Sequence, residues 1–141
     1  MKITFHFDGV LSSTDFVTVN KPLFKLLKAL QEPGNNKISI LTSRSYYNSN
    51  VQEVMEIAKK LKIEDVYFVS GKDNSIKKSI YKLGHTYGPY FANKAEFIKY
   101  HKIDIHFDDD SFEVWQINKI TPGTGVLVNV NQLLQENYEK I

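Results

Sequence analysis

Apolar residues along this chain follow two spacings, short continuous runs and helical stripes, and the two alternate from one end to the other. Residues 3–11, Ile-Thr-Phe-His-Phe-Asp-Gly-Val-Leu, predict a buried strand ending in a tight Asp-Gly turn. Residues 12–20 read as a polar loop. Over 21–31 the apolar positions Leu23, Phe24, Leu26, Leu27 and Leu30 predict a helix, with Asn20 as its cap and Pro22 in the first turn. Glu32-Pro33-Gly34 stops it. A second strand over 37–41 runs into Thr42-Ser43-Arg44.

Ser49 and Gln52 make a capping-box pattern, and Val51, Val54, Met55, Ala58 and Leu61 form one stripe on the helix that follows. A third strand over 66–69 ends in Ser70-Gly71. Ile76, Ile80 and Leu83 predict a short helix, broken by Gly84 and Gly88-Pro89. Asn93 caps the next helix, which puts Lys94 in the first turn, Glu96 at the third position, and Phe97, Ile98 and His101 on the inward side. A fourth strand over 103–107 leads into Asp108-Asp109-Asp110, and Asp110 or Ser111 caps a short helix carrying Phe112 and Trp115. A turn at 121–123, a fifth strand over 126–130 and a last helix with Leu133, Leu134 and Tyr138 complete the pattern. Such alternation predicts an α/β fold: a three-layer sandwich with a mostly parallel five-stranded sheet, one domain over 1–141.

Composition narrows the function classes. A chain of 141 residues with 42% hydrophobic content can bury a full core but has no room for a second domain. The net charge of +2 calls for neither nucleic acid nor a membrane as partner. There are no cysteines, so disulfides and thiolate metal sites are excluded. No apolar run reaches the length of a membrane span, and a cytoplasmic location is the expectation.

In a parallel sheet, Asp8, residues 42–44 and residues 108–110 gather at one edge, because each follows its strand directly, and Lys94 reaches the same place. Carboxylates to hold a hard cation, a hydroxyl and an ammonium for phosphoryl oxygens, and helix N-termini that favour anions are parts for phosphate chemistry. In that chemistry Gly9, Ser43 and Arg44 fall on the substrate side.

The order of these parts resembles the haloacid dehalogenase-like (HAD) superfamily of phosphotransferases, whose first motif is a strand ending in Asp-x-Asp-Gly followed by Thr or Val. Here it reads His6-Phe7-Asp8-Gly9-Val10. The strand ending in Thr42 matches the second motif, Lys94 the third, and Asp108-Asp109 the fourth. The resemblance implies Asp8 as general acid/base, Thr42 and Lys94 as phosphate contacts, and Asp8, Asp108 and Asp109 around Mg²⁺. It also implies an uncapped crevice open to large phosphate-bearing ligands, with residues 72–93 as its rim. The departure is His6, which stands where the family carries its attacking, metal-binding Asp.

An imidazole brings no negative charge, so the hold on Mg²⁺ weakens. Among three acids, His6 is expected to titrate above its ordinary value and to neutralise part of the acidic cluster. The leading expectation is a protein with a retained phosphate and metal crevice that is impaired or inactive as an ordinary Mg²⁺-dependent phosphatase. Two alternatives stay open. One is an active phosphohydrolase, a phosphomonoesterase or nucleotidase, that uses His6 itself or a softer metal such as Mn²⁺ or Zn²⁺. The other is a binding module in which the Lys- and Tyr-rich stretch 72–102 meets a protein or nucleic acid. Blander readings stand beside these: His6 as a packed core residue, residues 108–110 as a solvated helix cap, and Arg44 as a surface residue.

Overall fold

The computed structural model of the protein describes residues 1–11, 18–44, 48–69, 81–82, 85–86, 93–128 and 138–140. In chain order the elements are β1 (Lys2–Phe5), β2 (Thr18–Asn20), α1 (Lys21–Gln31), β3 (Lys37–Thr42), α2 (Asn48–Lys60), β4 (Asp65–Phe68), β5 (Tyr81–Lys82), β6 (His85–Thr86), α3 (Lys94–His101), β7 (Ile105–Asp108), α4 (Ser111–Ile120), β8 (Thr124–Leu127) and β9 (Tyr138–Lys140). Five strands make one sheet in the order β4-β3-β1-β7-β8, with every pairing parallel.

β1 lies in the middle because its residues suit burial on both faces. Ile3 and Phe5 pack with Ile40, Val66 and Phe68 under Leu23 and Leu27 of α1 and Val54, Ile57 and Ala58 of α2. Phe5 stacks on Phe107 of β7 with ring centroids 4.7 Å apart. Leu41 and Tyr67 face the other way and meet Ala95, Phe97 and Ile98 of α3 and Ile117 of α4. β3 and β4 therefore send alternate residues into two separate cores, as period-two geometry requires. Three layers result.

From β1 the sheet grows through β3 and β4 on one side and through β7 and β8 on the other. The crossover direction thus reverses between β1 and β7, and a crevice opens beyond the strand ends at such a point. His6 and Asp8 follow the end of β1, Asp108 is the last residue of β7, and Asp109 follows it. Close approach elsewhere depends on glycine: a Cβ on Gly123 would clash with the Ile103 carbonyl oxygen.

Several expectations shift. α2 begins at Asn48, so Ser49 lies inside its first turn. The expected loop at 12–20 contains β2, which pairs antiparallel with β9, so Tyr138 sits in a strand and not in a terminal helix. Local spacing could not foresee a pairing between chain segments so distant in sequence. Leu133 and Leu134 lie outside the described residues. Tyr81–Lys82 pairs antiparallel with His85–Thr86 where a helix reaching Leu83 was expected. Ile76, Ile80 and the remainder of the expected rim also lie outside the described residues. Among the described residues no helix is long and apolar enough to cross a membrane.

Candidate functional site

The site forms where β1 and β7 run side by side. Thr4 pairs in register with His106, and the backbone N–H of His6 donates to the Phe107 carbonyl at 2.8 Å, which carries the ladder past the end of β1. Alternation then places Thr4 and His6 on the same face as His106 and Asp108. α3 crosses that face with its first residue above the strand ends. Asn93 caps the helix by accepting from the Glu96 N–H at 2.9 Å, so Lys94 enters the site from a fixed first turn.

Lys94 is 2% exposed, and its ammonium reaches Asp108 Oδ2 at 2.7 Å and His6 Nδ1 at 2.7 Å. An ammonium only donates, so Nδ1 accepts and the His6 ring proton sits on Nε2. Burial, followed by the Lys94 charge, pushes the His6 imidazole down to about 4, against weaker pulls from Asp108 and Asp8. The expected rise above the ordinary value is thus reversed. Sequence places acids near His6 but cannot reveal that a buried cation stands closer. A neutral ring makes the 3.6 Å approach of Nε2 to Asp109 Oδ1 a polar contact, not an ion pair.

Asp108 is completely buried. Burial alone would raise its carboxyl, yet the His106 hydrogen bond and the Lys94 charge hold it well below the usual carboxylate range. His106 Nε2 lies 2.8 Å from Asp108 Oδ2, and its Nδ1 lies 2.7 Å from the Thr4 hydroxyl. Burial keeps His106 below its ordinary value, so the ring is neutral, with Nε2–H donating to Asp108 and the Thr4 hydroxyl donating to Nδ1. The Asp110 N–H donates to Asp108 Oδ1 at 3.1 Å. Asp109 is raised by burial and by the neighbouring Asp108 charge. Asp110 caps α4, its carboxylate accepting from the N–H groups of Phe112 and Glu113, which matches the cap expected there.

Asp8 goes elsewhere. Arg44 Nε donates to Asp8 Oδ2 at 2.9 Å and Nη2 to Oδ1 at 2.8 Å, while Nη1 reaches Glu53 at 2.9 Å. The planar guanidinium fork suits a carboxylate better than any other neighbour does. The same guanidinium lies over the Phe7 ring, 5.2 Å from its centroid. Gly9 takes φ +75° in the turn behind Asp8, a conformation that favours glycine. Thr42 is buried and its hydroxyl accepts from the Arg44 N–H at 3.2 Å, while Ser43 is exposed.

Of the three acids expected around a metal, the structure brings Asp108 and Asp109 together. The cluster it forms is His6, Asp108 and Asp109, with one ligand atom from each within 4.8 Å of the others, and Asp8 is outside it. As a donor set, one imidazole and two carboxylates suit a borderline cation such as Mn²⁺ or Zn²⁺ better than Mg²⁺, which prefers oxygen alone, but the ring contributes only if Nε2 gives up its proton and Lys94 releases Nδ1. Sequence reading missed Thr4, His106, Glu53 and Glu113. A signal for His106 exists: it alternates with Ile105 and Phe107 and shares a face with Asp108. Glu113 lies one helical turn beyond Asp109, raised by burial and by Asp108 and Asp110, and its Oε2 is buried without a hydrogen-bond partner among the described residues.

No family model matches the chain, and neither a curated protein nor a solved structure is significantly similar to it.

Proposed function

We propose that the chain is a HAD-like phosphatase-fold protein that keeps a crevice for a phosphate-bearing ligand and a divalent cation but lacks the aspartyl-phosphate route. One observation carries this reading: Lys94 donates to Nδ1 of His6 at 2.7 Å, at the position where relatives of that kind hold their attacking carboxylate. With one ring nitrogen accepting and the other protonated, His6 offers no lone pair to phosphorus. The order of parts supports the family reading, because Asp8, Thr42 and Asp108 all lie at the ends of parallel strands on one edge of the sheet, with Lys94 on Asp108 and Arg44 on Asp8.

In this reading Lys94 and the Thr42 turn, with Ser43 and Gly9, receive phosphoryl oxygens, and Arg44 keeps Asp8 in place as the remaining acid. Asp108 and Asp109 are the residues that would hold the cation, and His6 beside them joins only if its ring gives up the Nε2 proton and Lys94 releases Nδ1. When bound, such an ion supplies positive charge against a phosphoryl group. The chain's own carboxylates make that contribution necessary: Asp8, Glu53, Asp108 and Asp109 outnumber Arg44 and Lys94 at the site.

The test is His6→Asp, assayed with para-nitrophenyl phosphate and Mg²⁺. The variant is expected to turn over substrate while the unsubstituted chain does not. A folded variant that stays inert and binds neither Mg²⁺ nor inorganic phosphate would overturn the reading. Turnover by the unsubstituted chain with Mn²⁺ or Zn²⁺, with acid-labile phosphate on His6 by mass spectrometry, would point to an active enzyme with an altered nucleophile instead.

A further inference from the structure

The buried column beneath Asp108 has more polar content than folding requires. Thr4, His106 and Asp108 are all 0% exposed. A pair of apolar side chains at the Thr4 and His106 positions would fill the same layer with nothing to satisfy, and buried polar networks are seldom the cheaper route to stability. Here the network is complete and ends on one atom. Asp108 Oδ2 takes two donors, Lys94 at 2.7 Å and His106 at 2.8 Å, while among the described residues Oδ1 takes only the Asp110 N–H at 3.1 Å. A carboxylate oxygen has two lone-pair sites, so Oδ2 is saturated and one site remains on Oδ1.

We infer that His106, backed by Thr4, is a positioning residue that divides the labour of the Asp108 carboxylate, engaging Oδ2 with the protein and leaving Oδ1 as the single oxygen for the crevice's cation. The inference rests on the proposed reading of the crevice as a cation and phosphate site. It adds a determinant the motif resemblance does not contain. Without the imidazole, the carboxylate keeps Lys94 on Oδ2 and the Asp110 N–H on Oδ1 but loses the donor that fills the second site of Oδ2, so either oxygen has a site to offer. With it, offering Oδ2 costs the His106 hydrogen bond. Thr4 contributes by fixing the ring: its hydroxyl donates to Nδ1, which leaves the proton on the nitrogen that faces Asp108.

Two conservative variants separate positioning from filling. In His106→Gln the terminal amide lies where Nε2 does and can still donate to Asp108. In His106→Asn the shorter amide lies on the Nδ1 side and can reach only Thr4. Mn²⁺ titration followed by electron paramagnetic resonance on the full chain should show affinity weakened by about 10- to 100-fold in His106→Asn and His106→Leu, and largely recovered in His106→Gln. His106→Asn also deprives buried Asp108 of a donor, so its melting temperature should fall below that of His106→Gln, and affinities are compared at a temperature where both variants are folded. Equal Mn²⁺ affinity in Gln and Asn would overturn the inference. Should the unsubstituted chain take up no Mn²⁺, the cation reading fails, and the positioning claim is then read from Asp108 itself. The ¹³C shift of its carboxyl should move in His106→Asn and Thr4→Val but not in His106→Gln. The same shift in all of these, or an Nδ1-protonated ring on His106 by long-range ¹⁵N correlation, refutes it.

Discussion

Replacing His6 by Asn should remove a specific acid sensitivity. The native ring titrates at about 4, against 6.5 in an unfolded chain. Between those two values the unfolded chain takes up a proton at this side chain and the native state does not, so native stability falls as pH falls through that window and is unaffected above it. At about 1.4 kcal/mol for each pH unit, the loss sums to ~3 kcal/mol by pH 4. His6 has only 13% of its side chain exposed, so solvent screening removes little of this. Asn keeps an oxygen near the Nδ1 position to accept from Lys94 but cannot be protonated. Urea unfolding of both chains at pH 7 and pH 4 measures the effect. The unsubstituted protein should lose ~3 kcal/mol more than His6→Asn over that interval. Contributions from His101 and His106, both also lowered by burial, are common to the two chains and cancel. Equal losses would refute the reasoning, as would an NMR midpoint for His6 above 6.5, the result expected if the surrounding acids outweighed burial and Lys94.

Lys94→Met leaves the buried Asp108 carboxylate with one fewer donor, and breaking such a pair should cost about 3–5 kcal/mol in urea unfolding while moving the His6 midpoint back up. A loss below about 1 kcal/mol, the range of an exposed pair, would mean that water reaches this contact. Gly123→Ala should lower stability by roughly 1–3 kcal/mol, because the new methyl would clash with the Ile103 carbonyl oxygen and the backbone would have to shift. An unchanged urea midpoint would show that the turn at 121–123 yields without cost.

Local pattern was enough for the layers. The apolar runs at Ile3–Phe5 and Ile38–Leu41, the stripes on α1 and α2, and the caps Asn93 and Asp110 each depend on a few neighbouring residues, so they could be read without the fold. The same holds for the gathering of Asp8, Thr42, Lys94 and Asp108 at one edge, because a parallel sheet puts every strand end on the same side. The pairing of β2 with β9 across the chain could not be read this way, and the local pairing of β5 with β6 was missed because apolar spacing there pointed to a helix.

By itself, then, the sequence determined the α/β architecture, the edge at which the polar residues meet, and the presence of an imidazole at position 6. Only tertiary structure decided how those groups are paired. Asp8 belongs to Arg44, Asp108 to Lys94 and His106, and His6 accepts from a buried ammonium and so is neutral. The reason is the range of the forces involved. Hydrophobic period is written in neighbours along the chain, whereas the charge state of a buried group depends on burial and on partners within about 3–6 Å, which come from residues far apart in sequence.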